Sequence, residues 1–311
     1  MMKHFIKYSV VFAIGVFLFV FVGLILPNNN PVRSVDYSLV AKHNLLQQNK
    51  QPKVVLTGGS NVVFGFNSQI LQDDLNYPVV NHAIHAGYGL KYIIEDVLQF
   101  VNEGDVIVLS PEYSHFIGDN YYGKEPLLFS LTVKPSNLKL ISFQQLASIS
   151  EFIPQFSFDK IKSFVYNKAK NKPRRTNSEK NYTEFSINKF GDHYTHWDDK
   201  NEDLKLYNFN GVVNVDVIEF LNSVNDQIKR KGAKFFISFP SLCRSTYTKN
   251  KKTILAIEKA LKKYGNFNIL DSPKDHVYKD VLFYDTSYHL NGDGVSIRSK
   301  KLASELKGQL K

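Results

Sequence analysis

Val54-Val55-Leu56-Thr57-Gly58-Gly59-Ser60-Asn61 is the stretch whose reading decides the fold. Its first three residues are a compact apolar run of the kind buried on both faces of a parallel sheet, and the glycine pair then turns the chain sharply. A helix follows from Asn67, a good N-cap, to about Leu75. Outward from there the alternation repeats. Pro78-Val79-Val80 reads as a second strand ending in Asn81-His82-Ala83. Leu90, Ile93, Ile94, Val97, Leu98 and Val101 fall on one helical stripe punctuated by Gly104, and Val106-Ile107-Val108-Leu109 is another buried strand.

From about Gly118 to Leu206 the rhythm breaks. This segment carries Lys168-Ala169-Lys170-Asn171-Lys172-Pro173-Arg174-Arg175, many Asn and Tyr, and weak helical patterns near 143–167. It reads as an insertion with partial helical structure and long loops, either a small helical subdomain or a functional lid. Beyond it, Val217, Phe220, Leu221, Val224 and Ile228 form a helical stripe stopped by Gly232, and Lys234 to Phe239 is a strand ended by Pro240. Ile254–Tyr264 is a basic amphipathic helix, Phe267–Leu270 a strand and Val295–Leu306 the last helix. The pattern predicts a three-layer α/β/α fold with a mostly parallel, flavodoxin-like sheet. Ligands of such sheets gather beyond the carboxyl ends of the strands.

The chain of 311 residues is 43% hydrophobic and 22% charged, which excludes a disordered or low-complexity protein. The single cysteine, Cys243, excludes an internal disulfide framework and any cysteine-built metal cluster. The net charge of +10 and mean hydropathy of −0.24 hide an uneven distribution. Tyr8 to Leu26 is a run of nineteen residues without a formal charge, close to the roughly 20 needed to span a bilayer. Lys3 and Lys7 precede it, and Pro27 and a polar Asn28–Pro31 stretch follow. A cleaved signal peptide would have a shorter apolar centre of about 7–15 residues and a small-x-small site after it, so an uncleaved anchor is expected. The two lysines favour a cytoplasmic N-terminus and an extracytoplasmic remainder. The expected organisation is a stub and anchor over 1–27, a linker with a connecting helix over 28–52, and an α/β domain over 53–311 with its insertion at about 118–206.

Two places carry residues suited to nucleophilic chemistry. Ser60 stands just beyond the first strand, where preceding glycines permit a turn that presents a hydroxyl beside backbone N–H groups. The same turn also serves as an ordinary strand-to-helix connection, and Val62 replaces the second glycine of a G-x-S-x-G elbow. Near the other end, Phe283-Tyr284-Asp285-Thr286-Ser287-Tyr288-His289 sets an acid and a histidine together before the final helix. A serine hydrolase needs a histidine to take the hydroxyl proton and a carboxylate to orient that histidine. The competing reading of His289 is a structural hydrogen bond at a helix start.

Gly58-Gly59-Ser60-Asn61, Gly87 within Asn81–Gly87, and Asp285–His289 occur in the order seen in the SGNH/GDSL hydrolase superfamily, which this chain resembles over roughly 53–116 and 214–306. The resemblance implies Ser60 as nucleophile, His289 as base and Asp285 as its orienting acid. It also implies an oxyanion hole from the N–H groups of Ser60 and Gly87 together with an asparagine side chain. Three positions depart from the family pattern. Gly59 replaces the acid before the serine; Ser110-Pro111-Glu112 stands where the oxyanion asparagine belongs; and Asp285 lies four residues before His289, with Thr286 in the usual place of the acid. Gly87, Asn61 and Glu112 are the candidate oxyanion or substrate contacts.

His82 and His85 flank the second strand's end without a matching carboxylate pattern, and Asp192, His193 and His196 read as solvated loop residues rather than a metal set. No metal or cofactor is expected, and no aromatic-basic motif for nucleic acid is present. The expected function is a membrane-anchored esterase or O-acyltransferase acting on an acylated cell-surface glycan. The alternative is an inactive relative that binds glycan or assists envelope polysaccharide assembly.

Overall fold

The structure, a computed structural model, describes residues 2–27, 34–170, 182–199 and 203–310. Helix α1 (Met2–Ile25) is exposed along nearly its whole length, and it is long and apolar enough to cross a membrane. Helix α2 (Ser38–Gln48) leads to strand β1 (Val54–Gly58), the single turn α3 (Ser60–Val63) and α4 (Ser68–Leu75). The Asn67 side chain caps α4 by accepting from the N–H groups of Gln69 and Ile70. Then come β2 (Val79–Asn81), α5 (Leu90–Leu98) and β3 (Val106–Ser110). The insertion supplies α6 (Glu125–Val133), α7 (Phe143–Ser150) and α8 (Ile153–Lys170). The α/β alternation resumes with α9 (Asp216–Arg230), β4 (Lys234–Ile237), β5 (Leu242–Cys243) and α10 (Arg244–Tyr264). It closes with β6 (Asn268–Ile269), β7 (Val277–Tyr278) and α11 (Gly292–Lys307).

The central sheet has the order β2-β1-β3-β4-β6 with every pairing parallel, and β5 and β7 pair separately. The expected α/β class is therefore observed, with helices on both sheet faces. Alternate strand residues explain why. Val55, Val80, Ile107, Leu109, Phe235 and Ile237 point to one side, onto the apolar stripes of α5, α9 and α10. Val54, Leu56, Val79, Val106, Val108 and Phe236 point to the other, onto Leu71 of α4 and Leu302 and Leu306 of α11. Full burial of each such side chain stabilises the fold by about 1.5–3 kcal/mol before entropy is counted. A further cluster joins α2 and α5 to α6, α7 and α8 through Leu39, Tyr92, Leu127, Ile149 and Phe156.

Because β2 and β3 lie on opposite sides of β1, the strand order reverses between β1 and β3, and sheets of this kind place their ligand crevice at the carboxyl ends there. Gly58 fits the tight junction there. Its φ is +149°, and a Cβ would stand 2.4 Å from the Ser110 carbonyl oxygen.

Several local expectations shift. The stripe through Val101 ends as helix at Leu98, although Val101 stays buried in the turn beyond. Helix α10 starts ten residues before Ile254, because packing of Thr246 and Asn250 against the core extends it past the apolar pattern. The insertion is more helical than its sequence suggests: α6 precedes the expected 143–167 region and is held by burial of Leu127 and Leu128. Of the basic run Lys168–Arg175, positions 171–175 lie outside the described residues, as do the Asn28–Pro31 stretch and Arg33.

Candidate active site

Ser60 opens α3 immediately after β1, so the turn aims it into the crevice. Its hydroxyl donates to Glu112 Oε1 at 3.1 Å, and the Asn61 N–H donates to the same oxygen at 3.3 Å. Glu112 reaches there from the loop after β3. A Cβ at Gly59 would meet Ala86 and, at 2.9 Å, Glu112 Oε1, so the glycine leaves room for this carboxylate. The Glu112 N–H donates to His115 Nδ1 at 3.2 Å, and His115 Nε2–H reaches the Ala86 carbonyl at 2.9 Å. His115 thereby ties the loop after β3 to the loop after β2. Burial pushes its imidazole pKa down and keeps it neutral, as this donor–acceptor arrangement requires.

Asn61 divides its groups. Its side chain is buried and turned inward, donating to the Ser110 carbonyl at 3.0 Å and accepting from the Ser110 hydroxyl at 3.2 Å. Only its backbone N–H faces Glu112. Gly87 stands at the rim, where its N–H donates to His85 Nδ1 at 2.9 Å.

Asp285 and His289 meet. His289 Nδ1 lies 2.8 Å from Asp285 Oδ1, which sets the Nδ1–H tautomer and leaves Nε2 free of that proton. Four-residue spacing works because the chain between them curls back: the Tyr284 N–H donates to the His289 carbonyl at 2.8 Å. Thr286, in the usual acid position, instead accepts from the His289 N–H at 3.3 Å. Burial alone would raise the Asp285 pKa, but the His289 contact and the Tyr182 hydroxyl outweigh it, and the carboxyl lies below its ordinary range. Tyr182, from the insertion, donates to Asp285 Oδ2 and lies 3.4 Å from His289 Nδ1.

The His289 ring stacks on Phe64, with centroids 4.2 Å apart and planes within 10°. The Phe64 N–H bonds the Ser60 carbonyl, so the ring on which His289 stacks belongs to the residue that closes the serine turn. Among the described residues no hydrogen bond joins Ser60 to His289; the serine proton points at Glu112.

Beneath the crevice, fully buried Arg298 of α11 holds the serine turn against β3. Its guanidinium donates to the Asn61 carbonyl (2.6 Å), Asn61 Oδ1 (3.2 Å), and the hydroxyls of Ser110 (2.9 Å) and Ser241 (3.3 Å). Burial brings its pKa down to about 10, still cationic at neutral pH. The sequence carries a signal for it: Arg298 is three residues after Val295 on the buried stripe of α11. Tyr182, Phe64 and His115 have no comparable signal.

The remaining candidates change character. Asp192, His193 and His196 are buried, not solvated. Asp192 accepts from the Ser68 backbone and hydroxyl, Asn81 and Asn188, while His196 Nε2–H bonds the Leu290 carbonyl at 2.9 Å. The insertion is thus built into the domain. Lys42 completes this lock by donating to the carbonyls of Asn81, Ala83 and Gly191, and burial lowers its pKa to about 7. His82 does meet a carboxylate, contrary to expectation: Asp96 Oδ2 lies 3.0 Å from it and 2.8 Å from His43. Among the described residues, His43-His82-Asp96 and Asp271-His276-Glu305 are the clusters spaced to hold a metal. In the first, Asp96 also accepts from Asn137 at 2.7 Å and Lys134 Nζ lies 2.7 Å from His43 Nδ1, whereas His82 Nδ1 has no hydrogen-bond partner among the described residues; the second packs beside Lys301 and is countered by the buried Arg298 charge.

No family model and no curated protein matches the chain. Among solved structures it is similar to the Bacillus subtilis protein YxiM, with a TM-score of 0.38 and 14% identity over 84% of this chain and 57% of the other. It is also similar to a Streptococcus pneumonia protein provisionally described as a platelet activating factor, with a TM-score of 0.36 and 11% identity over 88% and 91% of the two chains. This chain thus spans a little over half the length of the first. Likenesses of this degree leave the activity to the geometry of the site.

Proposed function

We propose that the chain is a serine esterase or O-acyltransferase of the SGNH/GDSL type, tethered by α1 with its N-terminus cytoplasmic and residues 53–311 outside. The observation that carries this reading is the Asp285–His289 pair, stacked on Phe64, the residue that closes the Ser60 turn at the carboxyl end of β1. In the reaction, Ser60 Oγ attacks an acyl carbonyl while His289 Nε2 accepts the hydroxyl proton, and Asp285 steadies the resulting imidazolium. Collapse of the tetrahedral intermediate returns that proton to the departing alkoxide and leaves an acyl-serine. Water or a sugar hydroxyl then attacks, with His289 again moving the proton. A rotation of the Ser60 hydroxyl from Glu112 to His289 must precede the attack. The Ser60 N–H would face the oxyanion, and that of Gly87 once it leaves His85 Nδ1. An acylated cell-surface glycan as substrate rests on the resemblance alone.

A second reading is favoured by a specific observation: acceptors already occupy this side of the site, Glu112 on Ser60 and Asn61, and His85 on Gly87. It makes the chain a glycan-binding or assembly protein on a hydrolase fold. A fluorophosphonate probe separates the two. Covalent labelling of the full chain in detergent, lost in Ser60→Ala and reduced at least about 100-fold in His289→Ala, supports the enzyme. A folded chain that takes up no probe supports the binding protein.

A further inference from the structure

The end of α1 does not stand apart from the rest of the chain. Gly23 packs directly on Ser157 of α8, whose hydroxyl donates to the Val20 carbonyl at 3.0 Å. Lys160 Nζ donates to the Leu24 carbonyl at 2.9 Å. These contacts fall on the last turns of the apolar helix, where a spanning segment leaves the hydrocarbon. They bring the insertion helices to the membrane surface.

At this junction lies a cavity of about 610 Å³ bounded by Leu24, Pro27, Leu128, Leu131, Leu138 and Leu146. It falls in the usual size range of small-ligand sites, roughly 300–1,000 Å³, and its walls are mostly aliphatic, with Tyr37 and Thr132 the exceptions among its lining residues. Its rim is apolar too. Leu138 is 57% exposed, and Phe143, one helical turn before Leu146 on the same face of α7, is 82% exposed. Large apolar side chains grouped this way mark a surface that something covers. Lys139, exposed beside Leu138, has the placement of a snorkelling residue at a head-group boundary.

We propose that this face is immersed in the leaflet from which α1 emerges, and that the cavity takes an acyl chain of a membrane phospholipid. Continuity decides the occupant: the wall formed by Leu24 to Pro27 is the end of the spanning helix itself, so the cavity opens where lipid chains already are. The inference rests on α1 spanning the bilayer. Its consequence is that the insertion is a membrane-seating platform holding the crevice at a set height above the lipid surface.

The test uses the full chain in phospholipid nanodiscs, with Cys243→Ala removing the native thiol and single nitroxide labels at Leu138→Cys and Phe143→Cys. Phe17→Cys in α1 reports the anchor, and Glu103→Cys, before β3, reports solvent. The labels at 138 and 143 should match that at 17, accessible to oxygen and protected from a water-soluble nickel reagent. A diazirine-tailed phospholipid should crosslink within residues 125–153. If 138 and 143 behave like 103 while 17 stays in lipid, the proposal is overturned and the anchor stands. If 17 is itself open to the nickel reagent, the anchor reading fails and the proposal falls with it. Crosslinks confined to α1 overturn the acyl-chain occupancy.

Discussion

Replacing Glu112 by glutamine removes one charge from the wall of the crevice with almost no change of shape. Glu112 Oε1 lies 3.1 Å from Ser60 Oγ and 3.3 Å from the Asn61 nitrogen. An oxyanion on the atom attacked by Oγ would form about 4 Å from this carboxylate, where two unit charges repel by about 4 kcal/mol at an effective dielectric of about 20. Partial charge development and solvent at the mouth halve this to about 2 kcal/mol, a rate factor of about 30. The amide of Glu112→Gln can also donate to the oxyanion, as the family's asparagine would. Fluorophosphonate labelling of full-length Glu112→Gln should therefore run about 30-fold faster than that of the parent chain, and Ser60→Ala should abolish it in both. The assay is the pseudo-first-order labelling rate at several probe concentrations, with matched thermal unfolding as the control for folding. A rate unchanged within twofold, or slower, would refute the reasoning. It would mean that Glu112 activates or positions the serine.

Two further outcomes follow from neighbouring contacts. Gly65→Ala puts a Cβ at 2.1 Å from the Asn61 carbonyl oxygen and 2.3 Å from Arg298 Nη1, so it must push the guanidinium off the serine turn. A loss of about 1–3 kcal/mol in denaturant unfolding is expected, with slower Ser60 labelling; an unchanged midpoint would contradict the described packing. His196 is buried and its pKa is lowered, chiefly by burial, to about 4 from 6.5. The unfolded chain then binds more protons than the folded one between those values, so this contribution is complete above about pH 6.5 and is lost as pH falls toward 4. The loss amounts to about 3 kcal/mol. Chemical unfolding between pH 7 and 4.5 should show this slope added to those of His82, His115 and His276, whose pKa values burial also lowers, and His196→Gln should reduce it; equal slopes would remove His196 as a source.

The alternation of Val54–Leu56, Val79–Val80, Val106–Leu109 and Lys234–Ile237 with helical stripes was enough to predict the sheet and the place of the crevice, because buried strands and amphipathic helices each impose a local period. The apolar run of α1 was legible for the same reason. Ser60 could be singled out because it stands at the end of such an element, and Asp285 and His289 because an acid and a histidine occur together shortly before the last helix. The partner of each polar group was not legible. Whether the Ser60 proton faces His289 or Glu112, whether Asp285 at four residues can reach the ring, and that Tyr182 completes the pair depend on how the 285–289 turn curls and on loops that converge from 52 residues apart for Ser60 and Glu112 and 103 for Tyr182 and Asp285. Local periodicity carries no information about those distances. Asp192, His193 and His196 make the point most directly: polar and set in an irregular segment, they read as solvated, yet the fold buries them. Their hydrogen-bond partners, Ser68, Asn81 and the Leu290 carbonyl, come from elements on either side of the insertion. The sequence by itself determined the apolar helix, the layered fold and the place of the serine turn. Only the tertiary structure decided which carboxylate that serine faces, since hydrogen-bond geometry is set by side chains brought together through packing rather than by their order along the chain.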